Sequence, residues 1–353
     1  MLMLHCSYFL RDGMLLGMGN PLLDILAATD TAILEKYNLQ PNDAILADKK
    51  HMPLYQELIE NYKVEYIAAG STLNSVRIAQ WILQRPNVCA YLGSVGKDKF
   101  SQILEDKSRE DGILAKFQFT TERPTGSCAV LITSNGHNRS LVANLAAAEC
   151  FTKDHLDDPE VSKIVANAEI YYSSGFFLTV SIETIMEVAQ VAHRRNKYFM
   201  MNLSAPFLPI YYKKQMMQAM PYVDILFGNE TEALAFAKEN NFEISDMKEI
   251  ALKMTTLPKE NPNRPRVVII TQGTLPVIVA KEGSTTEYPI PLIPTENIVD
   301  TNGAGDAFVG GFMAQFVKGE SLDIAVKCAI WAAGVVVQNS GCTVTGKPNF
   351  VPY

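Results

Sequence analysis

The seven-residue run Asp300-Thr301-Asn302-Gly303-Ala304-Gly305-Asp306 joins a backbone suited to binding anions with a carboxylate suited to moving a proton. Beyond it, Ala307 to Val317 (AFVGGFMAQFV) is apolar at helical spacing, and Glu296 to Val299 reads as the end of an extended segment. The glycines therefore fall where a helix begins. The first N–H groups of a helix have no intrahelical partner and carry the positive end of its dipole. Gly303 and Gly305 let the main chain come close to an oxygen. Such a turn holds phosphate. A carboxylate beside it would repel the phosphate unless it serves the other reactant, so the natural role of Asp306 is to accept a proton from a hydroxyl that faces the phosphoryl group. At a helix start it is expected to stay ionised near neutral pH. On spacing alone, a capping Asp is an equal alternative.

The elements that must position this run follow an alternating order. Short β-rich runs (VCAYLG, EIYYSS, YFMMNL, DILFGN and RVVIITQG) are separated by amphipathic helical stretches, among them Ser181 to Arg195, Glu230 to Glu239, Ser245 to Thr256 and Leu322 to Gln338. That order predicts an α/β fold with a mostly parallel sheet covered by helices. Leu23 to Lys49 and Phe117 to Ala143 break it, with β-type runs joined by polar turns, and predict a small separate sheet. Pro258 to Pro265 reads as a surface loop. Ligands in open parallel sheets lie beyond the carboxyl ends of the strands. Several strands here end in polar or small residues, namely Asn202, Asn229, Thr271 and Gly273, all placed on one rim.

Composition limits the partners. The chain has 353 residues, 48% of them apolar and 20% charged, and a net charge of −7. No apolar run approaches the roughly 20 residues of a membrane helix. The acidic balance argues against a nucleic-acid surface and for a small-molecule substrate. Cys6, Cys89, Cys128, Cys150, Cys328 and Cys342 are scattered without metal-ligand spacing and read as reduced, mostly buried thiols. The N-terminal segment lacks a basic n-region and is interrupted by Arg11 and Asp12, so no secretory signal is expected. Cytoplasmic placement follows, with nuclear residence open, and glycosylation at the sequons of Asn138, Asn202 and Asn229 is not expected. Two glycine motifs fail their mechanical tests. Gly17-Met18-Gly19-Asn20 has Leu22 where a dinucleotide loop needs its third glycine, and Gly93 to Lys97 is followed by Asp98 where a phosphate loop needs Ser or Thr.

The ordered set GMGNPLLD (Gly17 to Asp24), Ala-Gly-Ser-Thr-Leu-Asn (Ala69 to Asn74), NLSAPF, PYVDILFGNETEA and DTNGAGDAFVGGF resembles the ribokinase-like family of sugar and nucleoside kinases over about residues 16 to 350. The resemblance implies a large three-layer α/β domain with a mostly parallel central sheet, plus a small β-sheet lid. Residues 1–22, 50–63, 71–116 and 147–353 would form the large domain, and 23–49, 64–70 and 117–146 the lid. It implies transfer of the γ-phosphate of ATP to the 5′-hydroxyl of adenosine, with Mg2+. Another nucleoside or sugar as acceptor, or a nucleoside-binding regulator without turnover, are the alternatives. A monomer is the expectation.

Carried over by residue, the resemblance makes Asp306 the base, with Gly303, Ala304 and Gly305 as the anion hole and Arg139 as a lid arginine that reaches the transferred phosphate. Asp24 would accept hydrogen bonds from the ribose 2′ and 3′ hydroxyls, with Gly70, Ser71 and Asn74 on the same sugar. Phe176 would stack on the base, and Asn20, Leu22, Cys128, Leu141 and Ala143 would line its pocket. Asn202, Asn229, Glu232, Thr271, Gly273 and Asn302 would belong to the ATP side. Glu232 would act on magnesium through water. Asn229 and Glu232, three apart, are expected on one helix face. One departure concerns the lid hinge, where Ala69 stands in place of a glycine. If that position needs a positive φ, closure should be stiffer.

Overall fold

The structure, a computed structural model, describes residues 9–41, 43–133 and 138–352. Cys6 lies outside the described residues, as do 1–8 and 134–137 of the expected domain division. The chain starts with β1 (Leu15–Met18) and passes at once to β2 (Leu22–Ala28), α1 (Ala32–Tyr37), β3 (Ala44–Leu46), α2 (Met52–Asn61) and β4 (Val64–Ala69). It returns through α3 (Ser71–Leu83) to β5 (Cys89–Gly96), α4 (Lys99–Glu110) and β6 (Leu114–Thr120). A second excursion makes β7 (Ser127–Thr133) and β8 (Asn138–Asn144). Alternation then resumes with α5 (Pro159–Asn167), β9 (Ile170–Ser174), α6 (Ile182–Arg194) and β10 (Tyr198–Asn202). It continues through α7 (Phe207–Tyr211), α8 (Lys213–Ala219), β11 (Ile225–Asn229), α9 (Glu230–Glu239), α10 (Met247–Thr255) and β12 (Val267–Gln272). The hairpin of β13 (Leu275–Lys281) and β14 (Ser284–Tyr288) precedes α11 (Ala304–Phe316) and α12 (Leu322–Val336).

Nine strands form one sheet in the order β14-β13-β12-β11-β10-β9-β1-β5-β6, parallel from β6 to β12 and closed at one edge by the antiparallel hairpin. Its central strands are apolar runs because both faces are covered. Leu15, Tyr91, Tyr172, Met200 and Phe227 point into a layer shared with α3, α11 and α12. Leu16, Leu92, Tyr171, Met201 and Leu226 point into the opposite layer under α5, α6 and α10. Gly17 and Gly19, which fail as a dinucleotide loop, have a packing role: a Cβ on either would collide with Val76 or Thr72 of α3. They bring that helix onto β1.

The other five strands form the separate small sheet in the order β3-β8-β7-β2-β4. Three sequence boundaries change. Residues 117–120 belong to β6, which pairs in parallel with β5 of the large sheet, and not to the lid. Residues 50–63 include α2, whose Leu54 and Leu58 bury against Ile25, Ala129 and Val142 of the small sheet while the Tyr55 hydroxyl donates to the Val142 carbonyl at 2.8 Å. Its apolar stripe covers one face of that sheet, so α2 packs with the small sheet and not with the large one. Before the anion-binding turn, Glu296 lies in a 3-10 turn (Thr295–Asn297) and no strand ends there. Pro289, Pro291 and Pro294 remove the ladder donors that an extended pairing segment would need.

Candidate functional site

Two helices start at one point. The N-cap of α11 is Gly303 with φ 81°, and the N-cap of α3 is Gly70 with φ 105°, and neither first turn is capped by a side chain. Both conformations are open to glycine and strained for other residues, and at Gly70 a Cβ would also run into the Asn20 carbonyl. Ala69 keeps a negative φ, so the stiffness expected from alanine at the hinge has no basis. The positive torsion falls on its glycine neighbour.

Asp306 is the third residue of α11 and not its cap, which removes the capping alternative. Its carboxylate faces the start of α3, where Ser71 Oγ donates to one oxygen at 2.7 Å and Asn74 Nδ2 to the other at 2.9 Å. Ser71 and Asn74, expected on the sugar, thus hold the carboxylate. Burial pushes its pKa up to about 6, and the hydrogen bonds from Asn74 and Ser71 pull the other way. A value near 6 brings it closer to titration at neutral pH than a helix start alone would.

Opposite stands the inner face of the small sheet. The register sets Asp24 beside Cys128 and Ile67, Cys128 beside Ala143, and Val130 beside Leu141. Side chains of paired residues share a face, so Leu22, Asp24, Cys128, Leu141 and Ala143 line one surface around a single carboxylate. Burial pushes Asp24 up to about 7, against the pull of the Arg139 and Arg77 guanidinium groups. Arg139, also on this face, lies 3.6 Å from Asp24, 3.1 Å from Asp300 and 3.1 Å from the Ser340 hydroxyl. Its expected reach to a phosphate is here an engagement with two carboxylates, one on each side of the cleft.

At the end of β1, Asn20 leaves its Oδ1 buried with no donor among the described residues. A buried acceptor of this kind is costly unless a ligand satisfies it. Phe176 follows β9 and is half-buried, while its neighbour Phe177 fills the core. Its ring lies 6.2 Å from that of Phe207, which is 39% exposed. Core packing therefore explains Phe177 and leaves Phe176 with an open side.

A cavity of about 130 Å³ gathers Asn202, Gly228, Asn229, Glu232, Thr271 and Gly305 at the carboxyl ends of β10 to β12. Asn229 caps α9 instead of lying in it. Its Oδ1 accepts from the Glu232 N–H at 2.9 Å, and Glu232 accepts in return from the Asn229 backbone at 3.0 Å and side chain at 2.9 Å. The shared helix face expected for this pair is thus a reciprocal cap. Glu232 is 6% exposed, and burial pushes it up to about 7. A depression of about 630 Å³ lined by Asn196, Asp224 and Arg264 lies at the opposite, amino ends of the same strands, away from all of these groups. The smaller cavity is the one at the ligand edge of the sheet.

Two expected residues stand apart from the cavity. Gly273 occupies the exposed turn after β12, with no atom within 4 Å of a Cβ built on it. Asn302 is bound to its own neighbourhood, donating through its backbone and side chain to Asp300 Oδ1 at 2.8 and 2.9 Å. Asp300 and Phe207 carry site geometry and escape assignment by sequence. Each sits inside a motif that marks the site, but only their tertiary partners give them a role.

The family described as pfkB family carbohydrate kinase matches residues 34–349. Adenosine kinase 2 of Arabidopsis thaliana is 48% identical over 339 residues, covering 96% of this chain and 98% of its own. The crystal structure of Anopheles gambiae adenosine kinase in complex with P1,P4-di(adenosine-5) tetraphosphate is 52% identical. It superposes with a TM-score of 0.88 over 97% of this chain and 100% of that one. The adenosine kinase of Schistosoma mansoni in complex with adenosine and AMP is 34% identical, with a TM-score of 0.85 over 96% and 99%.

Proposed function

The chain belongs to the pfkB family of carbohydrate kinases, and from that premise we propose that it transfers the γ-phosphoryl group of ATP to the 5′-hydroxyl of adenosine, giving AMP and ADP. The observation that carries this reading is Asp306, held through both oxygens at the meeting of two glycine-capped helix starts.

Asp24 accepts hydrogen bonds from the vicinal ribose hydroxyls, and Asn20 Oδ1 gains the donor it lacks. Phe176 and Phe207 offer ring faces to the base, and Leu22, Cys128, Leu141 and Ala143 close over it. Each oxygen of Asp306 keeps a second lone pair beside its bond to Ser71 or Asn74, so the 5′-hydroxyl has an acceptor. As that oxygen attacks phosphorus, its proton passes to Asp306, and the N–H groups of Gly303 to Asp306 hold the phosphoryl oxygens. Arg139, seated on Asp300 beside the anion-binding turn, offsets phosphoryl charge from that position. The ATP side is formed by Asn202, Asn229, Thr271, Gly273 and Asn302. The oxygen-rich lining around Glu232 suits a hydrated octahedral ion, and Mg2+ bound there with the nucleotide would neutralise phosphate charge.

The test is ATP turnover with adenosine, inosine, guanosine and ribose, each with and without magnesium, and with the product identified by mass. AMP from adenosine as the dominant product, dependent on magnesium, is expected. Preferred turnover of ribose or another nucleoside would displace the base-pocket assignments, and adenosine binding without turnover would replace the kinase by a regulator.

A further inference from the structure

We propose that Asp300 is the positioning residue through which closure of the small sheet sets the anion-binding turn, an inference that rests on the kinase reading above. Asp300 is buried, and its two oxygens serve three separate parts of the molecule. Oδ1 accepts from the backbone and side chain of Asn302, fixing the turn that delivers Gly303 to the start of α11. Oδ2 accepts from the Gly341 N–H at 2.9 Å, in the loop after α12, and forms an ion pair with the Arg139 guanidinium, whose Nε lies 3.1 Å away. Arg139 belongs to β8 of the small sheet, so this last contact joins the lid to the body.

A buried carboxylate needs a compensating charge, and removing one partner of such a pair is far more disruptive than losing a surface contact. Here the compensating guanidinium comes from the lid. Gly341 is shaped for it. Its φ is +67°, and a Cβ there would lie 2.7 Å from both Arg139 terminal nitrogens. The Ser340 hydroxyl adds another contact to the guanidinium. Closure and the turn are therefore linked through one side chain: the geometry that seats Arg139 is the geometry that pins Asn302 and Gly303. A lid held by Arg139 stabilises the anion hole, and an ordered anion hole favours the closed lid to the same extent.

The test crosses Asp300→Asn with Arg139→Gln and measures kcat, the adenosine KM and thermal stability of each. Asp300→Asn is expected to lower kcat by about tenfold or more while the adenosine KM changes by less than about threefold, and to add less than about twofold to the kcat loss of Arg139→Gln, because groups acting as a unit are not additive. Additive kcat losses, or a loss of Tm with kcat unchanged, would make Asp300 a structural residue and overturn the proposal. Gly341→Ala attacks the same junction while leaving both charged groups in place. It is expected to reproduce the kcat loss, and wild-type kcat in that variant would also overturn the coupling. Failure of the wild type to phosphorylate adenosine would remove the kinase reading itself, which no pattern among the variants can do.

Discussion

Burial moves the pKa values of the Asp24 and Asp306 carboxylates the same way, to about 7 and about 6. Both act in the ionised form, so each loses function as the pH falls through its value. The profile of kcat/KM for adenosine should therefore bend downward below about pH 7 and steepen below about pH 6, approaching a slope of two. A single-slope acid limb centred near pH 4 would show that neither group is shifted in the working enzyme. Asp24→Ala removes the charge-assisted acceptor for the vicinal hydroxyls, and adenosine Kd by calorimetry should rise by about tenfold or more. An unchanged Kd would make Asp24 a partner of Arg139 only. The sequence marks Asp306 by the local chemistry of its run, and Asp24 by resemblance to the kinase family. It does not show what holds Asp306. Ser71 and Asn74 are 235 and 232 residues away, and hydrogen bonds at that separation exist only after α3 and α11 pack. Asp300 is the sharper case: it is visible in the same motif as Asp306, but its partners Arg139 and Gly341 come from the lid and from the loop after α12.

Among the elements, the two helix starts are built from glycines that differ in what surrounds them. Gly70 combines φ 105° with the Asn20 carbonyl against its Cα, so Gly70→Ala should cost about 1–3 kcal/mol of stability, read as a lower Tm, together with activity. Gly305 has helical backbone and nothing within 4 Å of a built Cβ, because that direction opens into the cavity. Gly305→Ala should leave Tm within about a degree or raise it slightly, alanine being the better helix former, while kcat falls by about tenfold or more as the methyl enters the phosphate space. If both variants lose stability alike, the open side of Gly305 is not where phosphate lies. The core strands and the long helices are legible in the chain because apolar runs and periodicity record burial on two faces or one. The assignment of α2 was not, since its apolar stripe fits either layer equally well and only tertiary contacts, those of Leu54, Leu58 and Tyr55 with the small sheet, decide between them. The segment before α11 misled for the opposite reason: Glu296 to Val299 reads as the end of an extended run, yet Ile298 and Val299 stay exposed, after a stretch whose prolines interrupt any ladder.

For the molecule as a whole, the site costs stability that ligands restore. Asp24, Glu232 and Asp306 all have folded values raised above ordinary carboxylate values by burial. A raised value means that the folded state binds protons more tightly than the unfolded one. The resulting stabilisation is full below about pH 4 and is lost as the pH rises through about 6 to 7. The unliganded protein should therefore show a lower Tm at pH 8 than at pH 5.5, and a variant with all three residues changed to their amides should flatten that dependence. A wild-type Tm that rises over the same interval would contradict it. Ligand groups that pair with these buried carboxylates are therefore expected to stabilise the folded protein. The most direct measurement is the single-turnover rate of AMP formation by the wild type and by Asp306→Asn, with adenosine binding measured on the same samples. Loss of roughly 10²–10⁴-fold in rate, about 3–5 kcal/mol in barrier, with adenosine Kd changed by less than about threefold is the expected result. A variant that forms AMP at the wild-type rate would show that Asp306 does not take the proton.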